Sequence, residues 1–360
     1  MVVLKDLDTP FIYVDIDIVK QNIERMQRLA SSHNKKLRPH IKTHKLPLFA
    51  HWQIQAGAVG VCVQKTEEAE VMVRHGISDV LISNEVIGRQ KTDRVAILAQ
   101  LSKIHVAVDS ELGLRQISDS AREAGEEVGV FIDVDVGMER CGVKGEQAAK
   151  LAQLASKTEG VYLKGVMGYD GHSAKVKQFE ERTKVVLRAY ETLKEAIGLI
   201  KSKGINIEVI SVGGTPSTPI WAKFDEITEL QPGTYIYNDV HQVEVGVAKK
   251  QECALKLMAT VMSKPTADRA VIDAGSKSFA FDQGRFPQPE KDLNAQFVSF
   301  SEEHGVLKSF SGELSVDLGD KLSFIPYHAC TIVDLWDEVY LSRNEKVITK
   351  LKIEARGARS

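Results

Sequence analysis

The sequence predicts an α/β protein, a parallel (β/α)8 barrel of the TIM type followed by a smaller domain of β-strands. Three observations predict it. Eight short apolar runs alternate with helical patterns over the first two-thirds of the chain. Polar or glycine residues stand where the runs end, at Lys42, Gln64, Ser83–Asn84, Asp109, Asp133 and Asp135, Tyr169 and Gly213–Gly214. In a barrel those ends share one mouth, whereas a doubly wound sheet would spread them along a crevice. Beyond about Gln242 the helical patterns give way to short strands separated by turns. At 360 residues the chain is long enough for a barrel of about 250 residues and a second domain. The expected division is 8–245 for the barrel and 246–360, with about residues 1–7, for the strand domain.

Each element has a local reason. Phe11–Ile16 is apolar and reads as the first strand, and Asp17 is placed to cap the helix that follows, with Ile18, Ile23, Met26 and Leu29 on one face. Lys36–Lys42 reads as the second strand, and a helix through Phe49, Trp52 and Ile54 stops near Gly57. Ala58–Gln64 is the third strand, and Thr66 with the acidic Glu67 and Glu68 opens its helix. Asp79–Ser83, Ile104–Asp109, Val128–Val136 and Leu163–Tyr169 continue the series. A long helix from about Val176 to Lys203 leads to the eighth strand, Ile207–Val212. In the second part, Ala254–Val261, Arg269–Asp273, Leu322–Pro326, Glu338–Leu341 and Val347–Ile353 read as strands, and Gly284–Asn294 as a loop.

Composition narrows the function classes. Charged residues make up 27% and hydrophobic residues 43%, as in a soluble globular protein. A formal net charge of -2 gives no general attraction to nucleic acid or to an anionic membrane surface. No run approaches the roughly 20 apolar residues of a membrane span. The opening residues carry no long apolar segment and no basic region, so no signal peptide is expected. Cys62, Cys141, Cys253 and Cys330 are far apart with no CxxC pair, which fits reduced thiols in the cytoplasm.

The chemistry gathers on four stretches. Leu37–Lys45 packs His40, Lys42, His44 and Lys45 at the end of an apolar run. A lysine at the end of a buried strand, beside other cations, suits Schiff-base chemistry, while a merely basic loop is the plainer reading. Two glycine-rich turns, Val212–Thr218 and Gln231–Tyr235, suit an anion, because glycines let backbone N–H groups approach closely and Thr and Ser add donors. Phosphate sites in barrels are commonly built after the last two strands, so the pair points to a phosphorylated cofactor, with two ordinary tight turns as the alternative. There is no GxGxxG after the first strand and no GxxxxGK[ST], which weakens a nucleotide reading. His328-Ala329-Cys330, read as strand, would point an imidazole and a thiol the same way, a donor pair suited to zinc or a similar ion. A core cysteine beside an edge histidine is the alternative. His172, after Tyr169-Asp170-Gly171, could be a general base, a metal neighbour or a substrate contact, or a solvated loop histidine. Arg140 could hold an anionic oxygen of the cofactor or a substrate carboxylate, or make a surface ion pair. His304 reads as a turn residue.

With these residues in place, the chain resembles the D-threonine aldolase and D-serine dehydratase-like family, pyridoxal-phosphate enzymes of the alanine-racemase fold type (fold type III). The resemblance covers nearly the whole chain. It rests on Arg38-Pro-His-Ile-Lys42-Thr-His-Lys45, Gly60-Val-Cys-Val-Gln64, Ile82-Ser-Asn-Glu85, Asp135-Val-Gly-Met-Glu-Arg140-Cys-Gly-Val, Gly213-Gly-Thr215, Gln231-Pro-Gly-Thr-Tyr235, Asp273-Ala-Gly-Ser-Lys277 and His328-Ala-Cys330. It implies that the cofactor joins Lys42 rather than Lys45. It sets His40, Gln64, Arg140, Tyr169, Gly213, Gly214, Thr215, Gly233, Thr234 and Tyr235 as cofactor contacts. It further implies a homodimer, and a divalent metal (Zn, Mn or Mg) beside the cofactor with His328 and Cys330 as its pair. The substrate would be a D-3-hydroxy amino acid, and Lys42, His172 and Asp170 are the candidate catalytic residues. Two reactions are implied: retro-aldol cleavage of D-threonine to glycine and acetaldehyde, or dehydration of D-serine, D-threonine or D-3-hydroxyaspartate to a 2-oxo acid and ammonia. The overall texture leans to the aldolases. Against that, aldolases tend to carry Asp at the second metal position, where dehydratases have Cys as here, and His where this chain has Asp170. A non-catalytic protein of cofactor homeostasis is a further alternative, disfavoured by the second domain and its His-x-Cys pair.

Overall fold

The structure, a computed structural model, describes residues 2–360. The chain divides into two units: residues up to Asn22 with Thr234–Arg356, and Ile23–Gly233 with Gly357–Ser360.

In chain order the first elements are β1 (Phe11–Asp15), α1 (Ile16–Ser32), β2 (Lys36–Leu37), α2 (Pro47–Gln55), β3 (Val61–Val63) and α3 (Thr66–Arg74). They continue with β4 (Asp79–Glu85), α4 (Arg89–Ala99), β5 (Lys103–Val108), α5 (Glu111–Ala124), β6 (Val128–Asp133) and α6 (Gly145–Ala155). Then come β7 (Val161–Gly168), α7 (Phe179–Ser202), β8 (Val209–Val212), α8 (Thr218–Trp221) and β9 (Glu229–Leu230).

Strands β2 to β9 form one parallel sheet in the order β2-β9-β8-β7-β6-β5-β4-β3. Its two end strands are stitched by Val59 N–H to Leu37 O and Cys62 N–H to Pro39 O, so the sheet curls round on itself. Cys62, Leu81, Ala107, Phe131 and Met167, from five successive strands, pack together as one core layer with Val209 against it. That is the filled interior of a (β/α)8 barrel, as expected from the alternating pattern. A polar seam also runs through it. Arg38, 3% exposed, pairs with Glu229 at 3.0 Å and Asp79 at 2.5 Å, tying β2's continuation to β9 and β4.

Close backbone approach makes one glycine critical. A Cβ on Gly165 of β7 would lie 2.0 Å from the carbonyl oxygen of Val209, its partner on β8. Backbone cannot swing aside as a side chain can, so Gly165→Ala is expected to cost about 3 kcal/mol. A urea titration checks this as a lowered midpoint at unchanged slope. A midpoint equal to that of the unmodified protein would contradict the close contact.

The second unit holds α9 (Val240–Glu244), β10 (Leu255–Thr266), β11 (Arg269–Ile272), α10 (Ser276–Phe279), β12 (Gln288–Pro289), β13 (Ala295–Phe300), β14 (Gly305–Ser309), β15 (Lys321–Ile325), α11 (Ala329–Val333), β16 (Glu338–Arg343) and β17 (Lys346–Lys352). Seven of its strands run β13-β14-β11-β10-β1-β16-β17, with β15 on β10 and β12 on β15. The five strands expected after residue 254 are all present. His304 lies in the turn between β13 and β14, where Ser301 N–H meets its carbonyl.

Several expectations need correction. Phe11–Ile16 is not a barrel strand. β1 pairs antiparallel with β10 and parallel with β16, and the eighth barrel strand is β9. An apolar run buried on both faces suits either sheet, and a two-residue strand leaves no pattern to read. Asp17 does not cap α1. The Asp15 carboxylate does, accepting the N–H groups of Asp17 and Ile18 at 3.0 and 3.3 Å. The compact units divide at Gly233–Thr234 and within α1, so that residues 8–22 and 234–245 go with the strand unit. Among the described residues there is no disulfide and no helix long and apolar enough to cross a membrane.

Candidate active site

The barrel's strand ends set the site. Lys42 was expected on a strand but lies in a single 3-10 turn, Ile41–Thr43. The cause is the preceding side chain. Ladder bonds continue irregularly to His40, whose N–H reaches Pro232 O, and then the His40 Nδ1 accepts the Lys42 N–H at 3.3 Å and starts the turn. That assigns the ring proton to Nε2, which stands 3.2 Å from both Gln64 Oε1 and Ser83 Oγ. Ser83 gives its own proton to Val63 O, so it accepts from His40. Burial, then the Lys42 charge, hold His40 well below the usual histidine range, so it is a neutral donor at Nε2.

The two lysines of this stretch differ sharply. Lys45 is buried, has φ +56°, and pairs with Glu68 at 3.0 Å, with side chains 7% and 1% exposed. The same carboxylate accepts the N–H groups of Gln64 and Lys65 where α3 begins. Lys42 is half-buried, and among the described residues its ammonium has no carboxylate or carbonyl partner. It stands 5.7 Å from the centroid of the Tyr169 ring. Arg140, exposed, places its guanidinium carbon 5.4 Å from the same centroid. Arg140 is carried by a folded loop in which Asp135 accepts the Gly137 and Glu139 N–H groups and Asp109 accepts that of Gly142.

Past Tyr169 lie the other two catalytic candidates. The His172 Nδ1 is buried and has no partner among the described residues, while a Cβ on Gly137 would stand 3.4 Å from its Nε2. Asp170 is 1% exposed, and both its oxygens are occupied: Oδ2 accepts from Ser173 at 2.7 Å and Oδ1 from Ser217 at 3.0 Å. The glycine turns stand where expected. Gly213, at φ +87°, follows β8, and Gly214 lies against Tyr169, 3.4 Å from the ring measured from an added Cβ. A Cβ on Gly233 would meet His40 O at 3.0 Å and Thr43 Oγ1 at 3.2 Å. Thr215 is buried in the first turn. These residues fit a phosphorylated aromatic aldehyde. They offer an uncommitted amine, an aromatic ring and a guanidinium beside it, and glycines where a side chain would intrude.

Thr234, Tyr235, His328 and Cys330 belong to the other unit. Thr234 and Tyr235 form the 3-10 turn Thr234–Ile236, with Thr234 Oγ1 3.9 Å from Cys330 Sγ. The His-x-Cys pair is not on a strand: His328 caps α11 and Cys330 is that helix's second residue. The helix start nonetheless brings imidazole and thiol into hydrogen-bond contact. Asp282 accepts from His328 Nδ1 at 2.9 Å and from Thr331 Oγ1 at 2.8 Å. Buried Asp239 accepts the N–H groups of Ala329 and Gln242, both at 2.9 Å. Burial opposes a charged imidazole here, but the contact with Cys330, then Asp282 and Asp239, push His328 up to about 10. No group of three or more His, Cys, Asp or Glu suited to a metal stands among the described residues. An imidazole and a thiol do fit two positions of a divalent site that leaves others open.

Sequence reasoning missed Glu68, Ser217 and Asp282. Glu68 was read as a helix-opening acid, and its grip on Lys45 leaves no local signal. Ser217 and Asp282 sit in turns whose partners are distant in sequence.

The family described as alanine racemase, N-terminal domain, matches residues 14–240, and the serine dehydratase domain matches 254–342. A D-threonine aldolase from Arthrobacter sp is 36% identical over 357 residues, covering 98% of this chain and 94% of the relative. The crystal structure of D-threonine aldolase from Filomicrobium marinum superposes with a TM-score of 0.95 at 35% identity, covering 98% of this chain and 97% of that one. D-threo-3-hydroxyaspartate dehydratase from Delftia sp. HT23 gives 0.89 at 27% identity, covering 98% and 99%. A dehydratase of that name is also solved as a metal-free variant lacking one cysteine and as a variant lacking a histidine two numbers earlier. A full-length match at this identity, on the same two-part architecture, means that the chain belongs to the D-threonine aldolase and D-serine dehydratase-like family, lyases built on the pyridoxal-phosphate alanine-racemase fold.

Proposed function

We propose that this chain is a pyridoxal-phosphate- and divalent-metal-dependent lyase of D-3-hydroxy amino acids, cleaving D-threonine to glycine and acetaldehyde. One observation carries the reading: of the two lysines in the Lys42–Lys45 turn, Glu68 occupies Lys45 and leaves Lys42 uncommitted beside Tyr169. The choice of retro-aldol cleavage is supported by full-length likeness to D-threonine aldolases at 36% and 35% identity.

When bound at Lys42, the cofactor supplies an electron sink for the pair left on Cα. A divalent ion held by His328 and Cys330 would supply Lewis acidity. The chain's own residues do the rest. His40, neutral and bonded to Gln64 and Ser83, fixes the turn that carries Lys42. Tyr169 and Arg140 would contact the cofactor, and the turns at Gly213–Thr215 and Gly233–Tyr235 would hold its phosphate. His172, with a ring nitrogen that has no partner among the described residues, removes the proton of the 3-hydroxyl. The Cα–Cβ bond then breaks, Cβ leaves as the aldehyde carbon, and Cα takes up a proton to become that of glycine. The same reading takes the protein as a cytoplasmic homodimer.

A second reading has its own support. Cys330 in the pair matches the cysteine and histidine spacing of the dehydratase variants. There, loss of the Cα proton and departure of hydroxide would give a 2-oxo acid and ammonia. Product analysis decides between them. Purified protein with cofactor and divalent ion is expected to yield glycine and acetaldehyde from D-threonine and nothing from L-threonine. Oxo acid and ammonia would establish the dehydratase, and no turnover of D-threonine or D-serine would remove the lyase proposal. Chelation is expected to abolish turnover while the cofactor's absorbance persists, with divalent ion restoring activity. Cys330→Ala should lower the bound metal measured by elemental analysis, with affinity weaker by at least about tenfold. Full activity after complete chelation would eliminate the metal's role.

A further inference from the structure

Asp170 stands beside the site, yet its geometry is that of a strut. It is 1% exposed, as are Ser173 and Ser217. Ser173 occupies one carboxylate oxygen at 2.7 Å and Ser217 the other at 3.0 Å. Ser217 Oγ in turn accepts the Gly214 N–H at 3.1 Å. That oxygen also lies 3.3 Å from Gly214 O, but a hydroxyl has one proton, and the shorter contact to a carboxylate takes it. The Gly214 carbonyl is held from the other side by Ser217 N–H at 3.1 Å, Thr218 N–H at 2.9 Å and Thr218 Oγ1 at 2.8 Å. The Gly214 residue is thus clamped at both its N–H and its carbonyl. It follows Gly213, whose φ of +87° only glycine adopts without strain.

We propose that Asp170 is a positioning residue that holds the Gly213–Ser217 turn in its anion-binding shape through Ser217, and does not transfer a proton to or from the substrate. This rests on the reading of that turn as a seat for the cofactor phosphate. Asp170 is 1% exposed and each of its oxygens already accepts a hydroxyl group, so the carboxylate is held by the turn it joins rather than open to a ligand from solvent. Burial raises the carboxyl's pKa against the bonds from Ser173 and Ser217. In Asp170→Asn the carbonyl keeps the Ser217 bond, and the NH2 group meets Ser173, which reverses its hydroxyl.

The test compares binding of pyridoxal phosphate and of pyridoxal, which lacks the phosphate, by absorbance titration of the metal-loaded protein. Asp170→Ala and Ser217→Ala are expected to weaken pyridoxal phosphate about tenfold or more and to change pyridoxal by less than about threefold. Asp170→Asn should bind pyridoxal phosphate within about threefold of the unmodified protein and keep the pH–rate profile unshifted. If Asp170→Asn lost turnover by about 1000-fold at unchanged cofactor affinity, Asp170 would be a proton-transfer group and the proposal would fall. Equal weakening of both ligands by Ser217→Ala would also overturn it. If the unmodified protein itself bound both ligands equally, the phosphate reading would fail first, which is a distinct result. Should Asp170→Ala not fold, Ser217→Ala and Asp170→Asn carry the comparison alone.

Discussion

Replacing Lys42 by alanine is expected to lower D-threonine turnover by more than about 1000-fold and to remove the visible absorbance of the lysine-bound cofactor. Lys45→Ala gives the opposite pattern. Its amine is already committed to Glu68 in a buried pair, so its loss leaves an unpaired carboxylate behind and costs about 3–5 kcal/mol of stability. The absorbance should survive wherever the protein is folded. Lys42 holds up no comparable structure: among the described residues its ammonium meets only the Tyr169 ring, so Lys42→Ala should melt within about 1 kcal/mol of the unmodified protein. Absorbance spectra and urea titrations on both variants therefore give a double dissociation. A Lys42→Ala protein that kept the band while Lys45→Ala lost it would reverse the assignment.

His172→Gln carries the second large effect. Glutamine keeps much of the volume and a hydrogen-bonding end but accepts no proton near neutrality. If His172 takes the hydroxyl proton, turnover of D-threonine should drop about 10²–10⁴-fold with cofactor affinity unchanged. The acid limb of the kcat/KM profile should disappear as well, because the group whose protonation blocks catalysis is gone. The orphaned Nδ1 gives the physical reason to choose this residue over Asp170, whose oxygens are both occupied. A variant with full activity and an intact acid limb would send the search for a base elsewhere in the barrel mouth.

Much of this was readable before any coordinates. The strand–helix alternation, the polar residues at strand ends and the change of texture near residue 242 all come from local patterns of two or three and a half residues, which a linear sequence carries in full. The stretch around Lys42, the glycine turns and the His-x-Cys pair stand out for the same reason: each is contiguous. What the local pattern could not tell was membership. Phe11–Asp15 has the composition of a barrel strand, but its backbone pairs with β10, more than 240 residues away, and its place in the barrel goes to the two residues of β9.

The sequence by itself determined that this is a barrel with a strand domain and that the candidate Schiff-base lysine lies within Leu37–Lys45. Only the tertiary structure decided which lysine is uncommitted, since Glu68 reaches back across 23 positions to take Lys45. It alone brought Ser217 and Ser173, from different turns, onto the two oxygens of Asp170. It also moved His328 and Cys330 from a strand to a helix start without parting them. The reason is the same in each case. Backbone periodicity is a property of neighbours in the chain, whereas the state of a charged or hydrogen-bonding group is set by whichever atoms folding brings within about 3 Å of it.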